Sequence, residues 1–551
     1  MDITERELKY LGLLSKQFPN AAAAASEIMN LQAILNLPKG TEHFLADIHG
    51  EYEAFIHVLK NASGTIRTKV ESLFSGQIRE QELRQLCTLI YYPKESLERL
   101  AQTGQISNDW YKVTLNQLIK VLQRVSEKYT RSKVRKALPP QYSYITQELT
   151  HEDSMNPKKS AYVGAILDSI IETGQADDFI TALCETIQRL AIDRLHIVGD
   201  VFDRGPGADV IMERLLTYHN LDFQWGNHDM LWMGAAVGNA ASMANAIRIA
   251  LRYANSATLE GGYGINMLPL ARLAMEVYGS DPCEAFKPKL GDTDEKYDDK
   301  SLVLMGQMHK AIAIIQFKLE HQIIARRPEY HMEDRDLLHR INFGEGTITL
   351  PDGQTHPLKD THFPTVDPSD PYRLTEQEAE VVERLLHSFR HSDKLRAHIN
   401  FLYKKGSMYL TYNHNLLFHA SVPLNKDKSF RKVRIGKKLY AGRALMDRVD
   451  EFVRLAHWTA RDQEEHEEAV DFMWYLWCGP DSPLFDKSAM TTFERYFIAD
   501  KATHHEEKGY YYVYRTEQEV CERILEEFGL TGPDTHIING HVPVKAVKGE
   551  H

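Results

Sequence analysis

Three stretches of this 551-residue chain each run from apolar residues into side chains that bind cations. Phe44-Leu45-Ala46 ends in Asp47-Ile48-His49-Gly50, and Leu195-His196-Ile197-Val198 ends in Gly199-Asp200-Val201-Phe202-Asp203-Arg204-Gly205. Phe223-Gln224-Trp225 ends in Gly226-Asn227-His228-Asp229. A short apolar run that stops at a glycine reads as a buried strand opening into a loop. Strand ends that together deliver carboxylate, amide and imidazole donors suit a metal site, because ligands gather outside the carboxyl ends of strands in α/β sheets. A carboxylate can bridge two cations, and Asp200, in the central stretch, is the natural bridge. Two later strand-like runs end the same way, Leu416-Leu417-Phe418 at His419 and Ile537-Ile538-Asn539-Gly540 at His541. Each feature alone has an ordinary explanation, since Gly-Asp pairs make turns for backbone reasons. His466 and the pair His504-His505 have only that explanation, because they sit in charged stretches without strand context.

In order, DxH at 47–49, GDxxDRG at 199–205 and GNHD at 226–229 resemble the signature of the binuclear metallophosphatases, or calcineurin-like phosphoesterases. The phrases FLADIHGEYEAF, HIVGDVFDRGPGAD, QWGNHDMLWMGAA, LLFHASVPLN and INGHVPVK, with two long insertions between them, look like the bacterial class III fructose-1,6-bisphosphatases over essentially the whole chain. The resemblance implies that Asp47 and His49 hold one cation, that Asp200 bridges two, and that Asn227, His419 and His541 complete the second. It implies His228 as general acid, oriented by Asp203, and Arg204 as a phosphate-binding fork. The alternative for Arg204 is a structural ion pair. Two manganese ions are the expected cofactor, and a donor set of Asp, Asn and His suits manganese or iron better than a thiolate-rich zinc site. The implied reaction is hydrolysis of the 1-phosphate of fructose 1,6-bisphosphate to fructose 6-phosphate, a gluconeogenic step in the cytoplasm. A serine/threonine-type protein phosphatase or another metallophosphoesterase remains the alternative, although protein phosphatases of this superfamily usually carry GNHE where this chain has GNHD. A catalytically silent regulator that keeps the fold would have no chemical need for the whole donor set.

The net charge of −12 argues against nucleic acid as a partner. Five scattered cysteines without a CxxC motif suggest neither a disulfide framework nor a zinc knuckle, and fit a reducing compartment. No basic-then-apolar leader and no long uncharged apolar run is present, so no membrane partner is expected. The expected partner is a small sugar bisphosphate, with a homo-oligomer possible. A bisphosphate needs a second anion site. Lys426, Lys428, Arg431, Lys432, Arg434, Lys437, Lys438 and Arg443 form a basic cluster directly after the His419 strand. Such a cluster is either solvated surface or a site for the distal phosphate or an effector nucleotide.

The elements that must position these groups give a mixed class, α/β (α+β): a metallophosphatase-type β-sandwich flanked by helices, with large, mostly helical insertions. Residues 3–36 read as helix broken at Pro19-Asn20, and Tyr52, Phe55, Ile56 and Leu59 recur at helical spacing after the first donor strand. The expected division is a first part of the core at 1–66, a helical insertion at 67–190, core at 191–256, a second insertion with a small hairpin at 257–406, and the remaining core at 407–551. The hairpin is expected around Pro351-Asp352-Gly353, and 285–300 is expected as a solvated, mobile loop. The resembled family continues past the Gly-His strand, so a missing carboxyl-terminal region is expected to leave Ile537, Ile538, Val542 and Val544 partly uncovered.

Overall fold

The computed structural model describes residues 4–151, 157–290, 297–458 and 464–542, with the side chains of 151–159 left out. Helix makes up 60% of the chain and several small sheets supply the strands, so the class is mixed α/β. Two compact units divide it: Met1–His43 with Ile56–Arg194, and Phe44–Phe55 with Leu195–His551. These boundaries differ from the expected 66/67 and 190/191 divisions. The amino-terminal residues go with the helical unit, and the 257–406 segment belongs to the unit that holds the donor strands.

The first unit is helical because its apolar residues keep a helical period. In Asn108–Ser126, Leu115, Leu118, Ile119 and Leu122 line one face, and the Ser107 side chain caps the start by accepting from the Trp110 N–H. That face joins Ile66 and Val70 of Thr65–Phe74, Leu86 and Ile90 of Glu80–Tyr91, and Phe179, Leu183 and Ile187 of Ala176–Ala191 in one core. The first two helices, Glu5–Gln17 and Ala21–Leu35, form where expected but bury no residue, and Leu8, Leu11, Ile28 and Leu31 stay exposed.

The second unit carries the donor strands. A four-stranded sheet has the order Glu42–Leu45, Arg194–Ile197, Leu221–Gln224, Gly406–Ser407. Its second, third and fourth strands pair in parallel. A three-stranded sheet has Asn415–Phe418 at its centre, parallel to His536–Ile538 and antiparallel to Tyr409–Tyr412. Within each sheet the bonding runs on past the strand ends, from Asp47 N–H to Gly199 O at 3.1 Å and from Gly540 N–H to His419 O at 2.8 Å. The two sheets meet where the His541 N–H donates to the Asp47 carboxylate at 2.9 Å and His419 Nδ1 to Val198 O at 2.9 Å. Ile537, Ile538 and Val542 are half-buried, and Val544 lies outside the described residues.

The 28-residue helix Asp299–Arg326 is buried along most of its length, polar positions included. Lys310 is fully buried between Asp281 at 2.5 Å and Asp360 at 2.6 Å, and Lys318 meets Glu378 at 2.7 Å. Charges this deep are tolerated only when paired. The expected hairpin forms, with Ile348 opposite His356 and Gly353 in the left-handed region at its turn. The 285–300 segment is not wholly a loop. Glu284–Phe286 is a short helical turn whose Phe286 ring is buried and stacks on Tyr496 at 4.5 Å, and helix resumes at Asp299, while 291–296 lie outside the described residues. Among the described residues no helix is long and apolar enough to cross a membrane.

Candidate active site

The chain bends sharply where it delivers the donors. Asp47, His49, Asp200, Asp203 and His541 all have positive φ, between 48° and 109°, although none is glycine. Each such position costs of order 1–3 kcal/mol and persists only where the surroundings over-determine it, which is typical of functional sites. Two glycines make the convergence possible. A methyl group at Gly226 would overlap the Asp200 carboxylate, and one at Gly199 would overlap the His419 ring.

Asp200 sits at the centre. His49, Asp200 and His228 form one group, and Asp200, His419 and His541 a second; within each group the ligand atoms lie within 4.8 Å of one another. The structure therefore brings four sequence-predicted imidazoles, those of His49, His228, His419 and His541, around the Asp200 carboxylate. Asn227 begins the helix Asn227–Val237, and its Oδ1 is buried with no hydrogen-bond partner among the described residues. Asp47 lies alongside. Its carboxylate accepts the His541 backbone N–H at 2.9 and 3.1 Å and stands 3.9 Å from His49 Nε2.

Two imidazoles are oriented for ligation. His419 Nδ1 donates to Val198 O at 2.9 Å, which leaves the Nε2 lone pair 3.2 Å from Asp200 Oδ2. A lone pair facing a carboxylate in a buried site requires a proton or a cation between them. His49 repeats the arrangement, with Nδ1 3.4 Å from Phe202 O and Nε2 turned toward Asp47. Together with the unpartnered Asn227 Oδ1, these oxygen and nitrogen donors could hold divalent cations, and among the described residues no thiolate joins them.

The charges respond to one another. Burial would raise the Asp200 carboxyl, but the His419, His228 and His49 imidazoles outweigh it and hold that carboxyl well below the usual range. Burial would lower His419, yet Asp200 and Asp47 raise it to about 9. Burial also pushes Asp203 up to about 7 and His228 well below its ordinary value.

His228 Nδ1 lies 3.0 Å from Asp203 Oδ2, close enough to pair with it but without the alignment of a hydrogen bond. Its ring packs edge-on against Trp477 at 4.7 Å. Arg204, half-exposed, touches the same Asp203 oxygen at 3.5 Å. It thus combines the ion pair foreseen as its alternative with a guanidinium still open to solvent.

Sequence reasoning gave Asp229 no task, yet this buried carboxylate accepts the backbone N–H groups of Asp200 at 2.7 Å, Val201 at 2.9 Å and Gly226 at 2.9 Å. The readable signal was its place three residues into a helix, where an acidic side chain reaches back to the cap. Asn255 was also missed. It donates to Gly205 O at 2.6 Å and steadies the loop that carries Asp203 and Arg204.

The basic cluster is divided. Lys428 pairs with Glu517 at 2.5 Å, Arg431 with Asp481 at 2.5 Å, and Arg443 with Asp447 at 3.7 Å. Lys426, Lys432, Arg434, Lys437 and Lys438 are exposed, the last four on or beside the hairpin Val433–Ile435/Lys438–Tyr440. None of the cluster bonds a candidate ligand among the described residues. His504 bonds the Glu494 and Ile498 carbonyls, at 3.0 and 3.1 Å, and His466 is buried in the helix Glu464–Cys478.

Buried carboxylates and imidazoles at the strand ends of a mixed α/β unit could hold cations, and the relatives this chain matches make it a hydrolase. The chain belongs to the family described as Firmicute fructose-1,6-bisphosphatase, whose model matches residues 9–551. It is 69% identical over 546 residues to the fructose-1,6-bisphosphatase class 3 of Porphyromonas gingivalis, covering 99% of this chain and 83% of that relative. The corresponding proteins of Bacteroides fragilis and Clostridium acetobutylicum are 60% and 55% identical over 544 residues, covering 99% of this chain and 82% of each relative. No solved structure matches the chain.

Proposed function

We propose that this chain hydrolyses the 1-phosphate of fructose 1,6-bisphosphate to fructose 6-phosphate and phosphate, a gluconeogenic reaction of the cytoplasm. The observation that carries the reading is identity of 55–69% along 99% of the chain to relatives of one named activity. The site supports it, because a buried set of carboxylates and imidazoles with a half-exposed arginine at its edge suits a phosphoryl group.

Manganese is the proposed cofactor, held as two ions by Asp47, His49, Asp200, Asn227, His419 and His541. When bound, such a pair supplies positive charge at the phosphoryl oxygens and acidifies a water to serve as nucleophile. The protein's own groups do the rest. Arg204 orients the scissile phosphate and Asp203 fixes the His228 ring. Burial favours the neutral ring, so the proton that His228 Nε2 gives the leaving sugar oxygen is one it gains with the phosphate bound, whose charge favours the imidazolium. Trp477 against the His228 ring keeps bulk water from that proton.

The test is phosphate release with added manganese across sugar bisphosphates, sugar monophosphates and a phosphopeptide. Fructose 1,6-bisphosphate should give the highest kcat/KM. Equal rates on the phosphopeptide would overturn the reading in favour of a protein phosphatase.

A further inference from the structure

The metal donors account for one phosphate of a bisphosphate and leave the other without a partner. Two aromatic rings flank His541, Phe485 and Tyr512, each with its centroid 6.4 Å from the imidazole. Each carries a cation over its face: Lys487 Nζ lies 5.3 Å from the Phe485 centroid, and the Arg515 guanidinium 5.6 Å from that of Tyr512. The rings are fixed in place. Phe485 is buried, and the Tyr512 hydroxyl donates to Ala420 O at 3.1 Å, next to His419. The Ser421 N–H bonds Pro483 O at 3.0 Å and the Gly509 N–H bonds Asp486 O at 2.8 Å, which holds both segments against the strand end that delivers His419.

The charges of this corner do not cancel. Glu506 faces both Lys487 at 3.0 Å and Arg495 at 3.1 Å, so one carboxylate answers two cations. Arg515 is half-buried and has no acidic partner among the described residues. Counting the buried Asp486 between Phe485 and Lys487, three cations, Lys487, Arg495 and Arg515, stand here with two carboxylates, Asp486 and Glu506, a local exception in a protein of net charge −12. The surplus matches a phosphate, which carries about −1.5 to −2 at neutral pH.

We propose that Lys487 and Arg515 bind the phosphate that is not cleaved, and so set the preference for a bisphosphate; this rests on the activity proposed above. Phe485 and Tyr512 hold the two cations apart and exclude water from beneath them, which strengthens their hold on an anion.

The test compares wild type with Arg515→Gln and Lys487→Gln on fructose 1,6-bisphosphate and on fructose 1-phosphate, which keeps the scissile group and lacks the distal one. On the bisphosphate, kcat/KM should fall roughly 10- to 100-fold per variant, mainly through KM, the range for losing a charged hydrogen bond. Fructose 1-phosphate should change by less than about twofold, since its transition state never used the site. Arg515→Lys should recover part of the loss. The inhibition constant of fructose 6-phosphate should rise by the same factor, while that of inorganic phosphate holds. Equal losses on both substrates would mark a structural role and overturn the proposal, as would no loss on either. A wild-type enzyme active on sugar monophosphates but indifferent to the second phosphate would overturn both readings. A wild-type bisphosphate preference that survives both substitutions overturns this one alone.

Discussion

The Asp229 carboxylate takes the Asp200 backbone N–H at 2.7 Å, so the helix that begins at Asn227 and the loop that carries the shared carboxylate are locked by one side chain. Its Oδ1 also serves Val201, and the Oδ2 that serves Asp200 is shared with Gly226. Asp229→Ala would strand three buried donors, and leaving each unsatisfied costs about 1–3 kcal/mol. Asp229→Ala should therefore lower the melting temperature and weaken metal retention without touching substrate. A variant as stable as wild type in a thermal melt, with full metal content, would show that water replaces the carboxylate.

His228→Ala should keep its metal content and lose ~10²–10⁴-fold in kcat, the range for a general acid. Asp200→Ala should lose metal as well, because both donor groups depend on it. Metal analysis beside the kinetics separates the two cases. Normal turnover of fructose 1,6-bisphosphate by His228→Ala would refute the acid role.

Lys318 and Glu378 are 0% and 1% exposed at the side chain, 2.7 Å apart, with Lys318 also donating to Thr365 O. Lys318→Met leaves a buried carboxylate alone and should cost roughly 3–5 kcal/mol, whereas Lys318→Met with Glu378→Leu should cost far less or nothing. Chemical denaturation of the three variants measures this. Equal destabilisation by the single and double changes would contradict it.

Acid should weaken both units for the same reason. Burial holds His43 at about 4 and His309 at about 3, below the ordinary value of 6.5. A folded pKa below the unfolded one means that the unfolded chain binds more protons, so stability falls as pH drops. The fall should begin near pH 6.5 and continue to about pH 4 for His43 and about 3 for His309. His309 also sits between Phe286 O and the Tyr496 hydroxyl, both at 2.8 Å, so His309→Gln should lose stability at pH 7 and less with acid. An unchanged pH slope in that variant would rule out His309 as a contributor.

The donor strands were legible because each combines a short apolar run with a chemically distinctive end, and both properties are local. His228 reads in sequence as something other than a ligand because its neighbour Asn227 takes that direction, yet in the folded chain it stands with His49 and Asp200 in a group that could hold a cation. The helix Asp299–Arg326 was not, because Lys310, Lys318 and Glu320 interrupt its apolar pattern. Their partners Asp281, Asp360, Glu378 and Arg335 come from other segments. The amino-terminal helices show the reverse case: their apolar spacing forms helix, and spacing alone does not say what covers it. Lys487 and Arg515 escaped notice because they lie 28 residues apart in irregular sequence, and only the folded chain puts both beside His541. The basic cluster after His419 was conspicuous by density, yet three of its members are committed to carboxylates.

The bond from the His541 N–H to the Asp47 carboxylate spans 494 positions of sequence. At ~5–20 residues per second on the ribosome, Asp47 emerges roughly half a minute to a minute and a half before its partner. For that interval the nascent chain displays Asp47 and His49, joined partway by Asp200, without the strand end that carries His541. Closure of the site from the His541 side therefore waits on residues made long after Asp47, whatever else has folded by then.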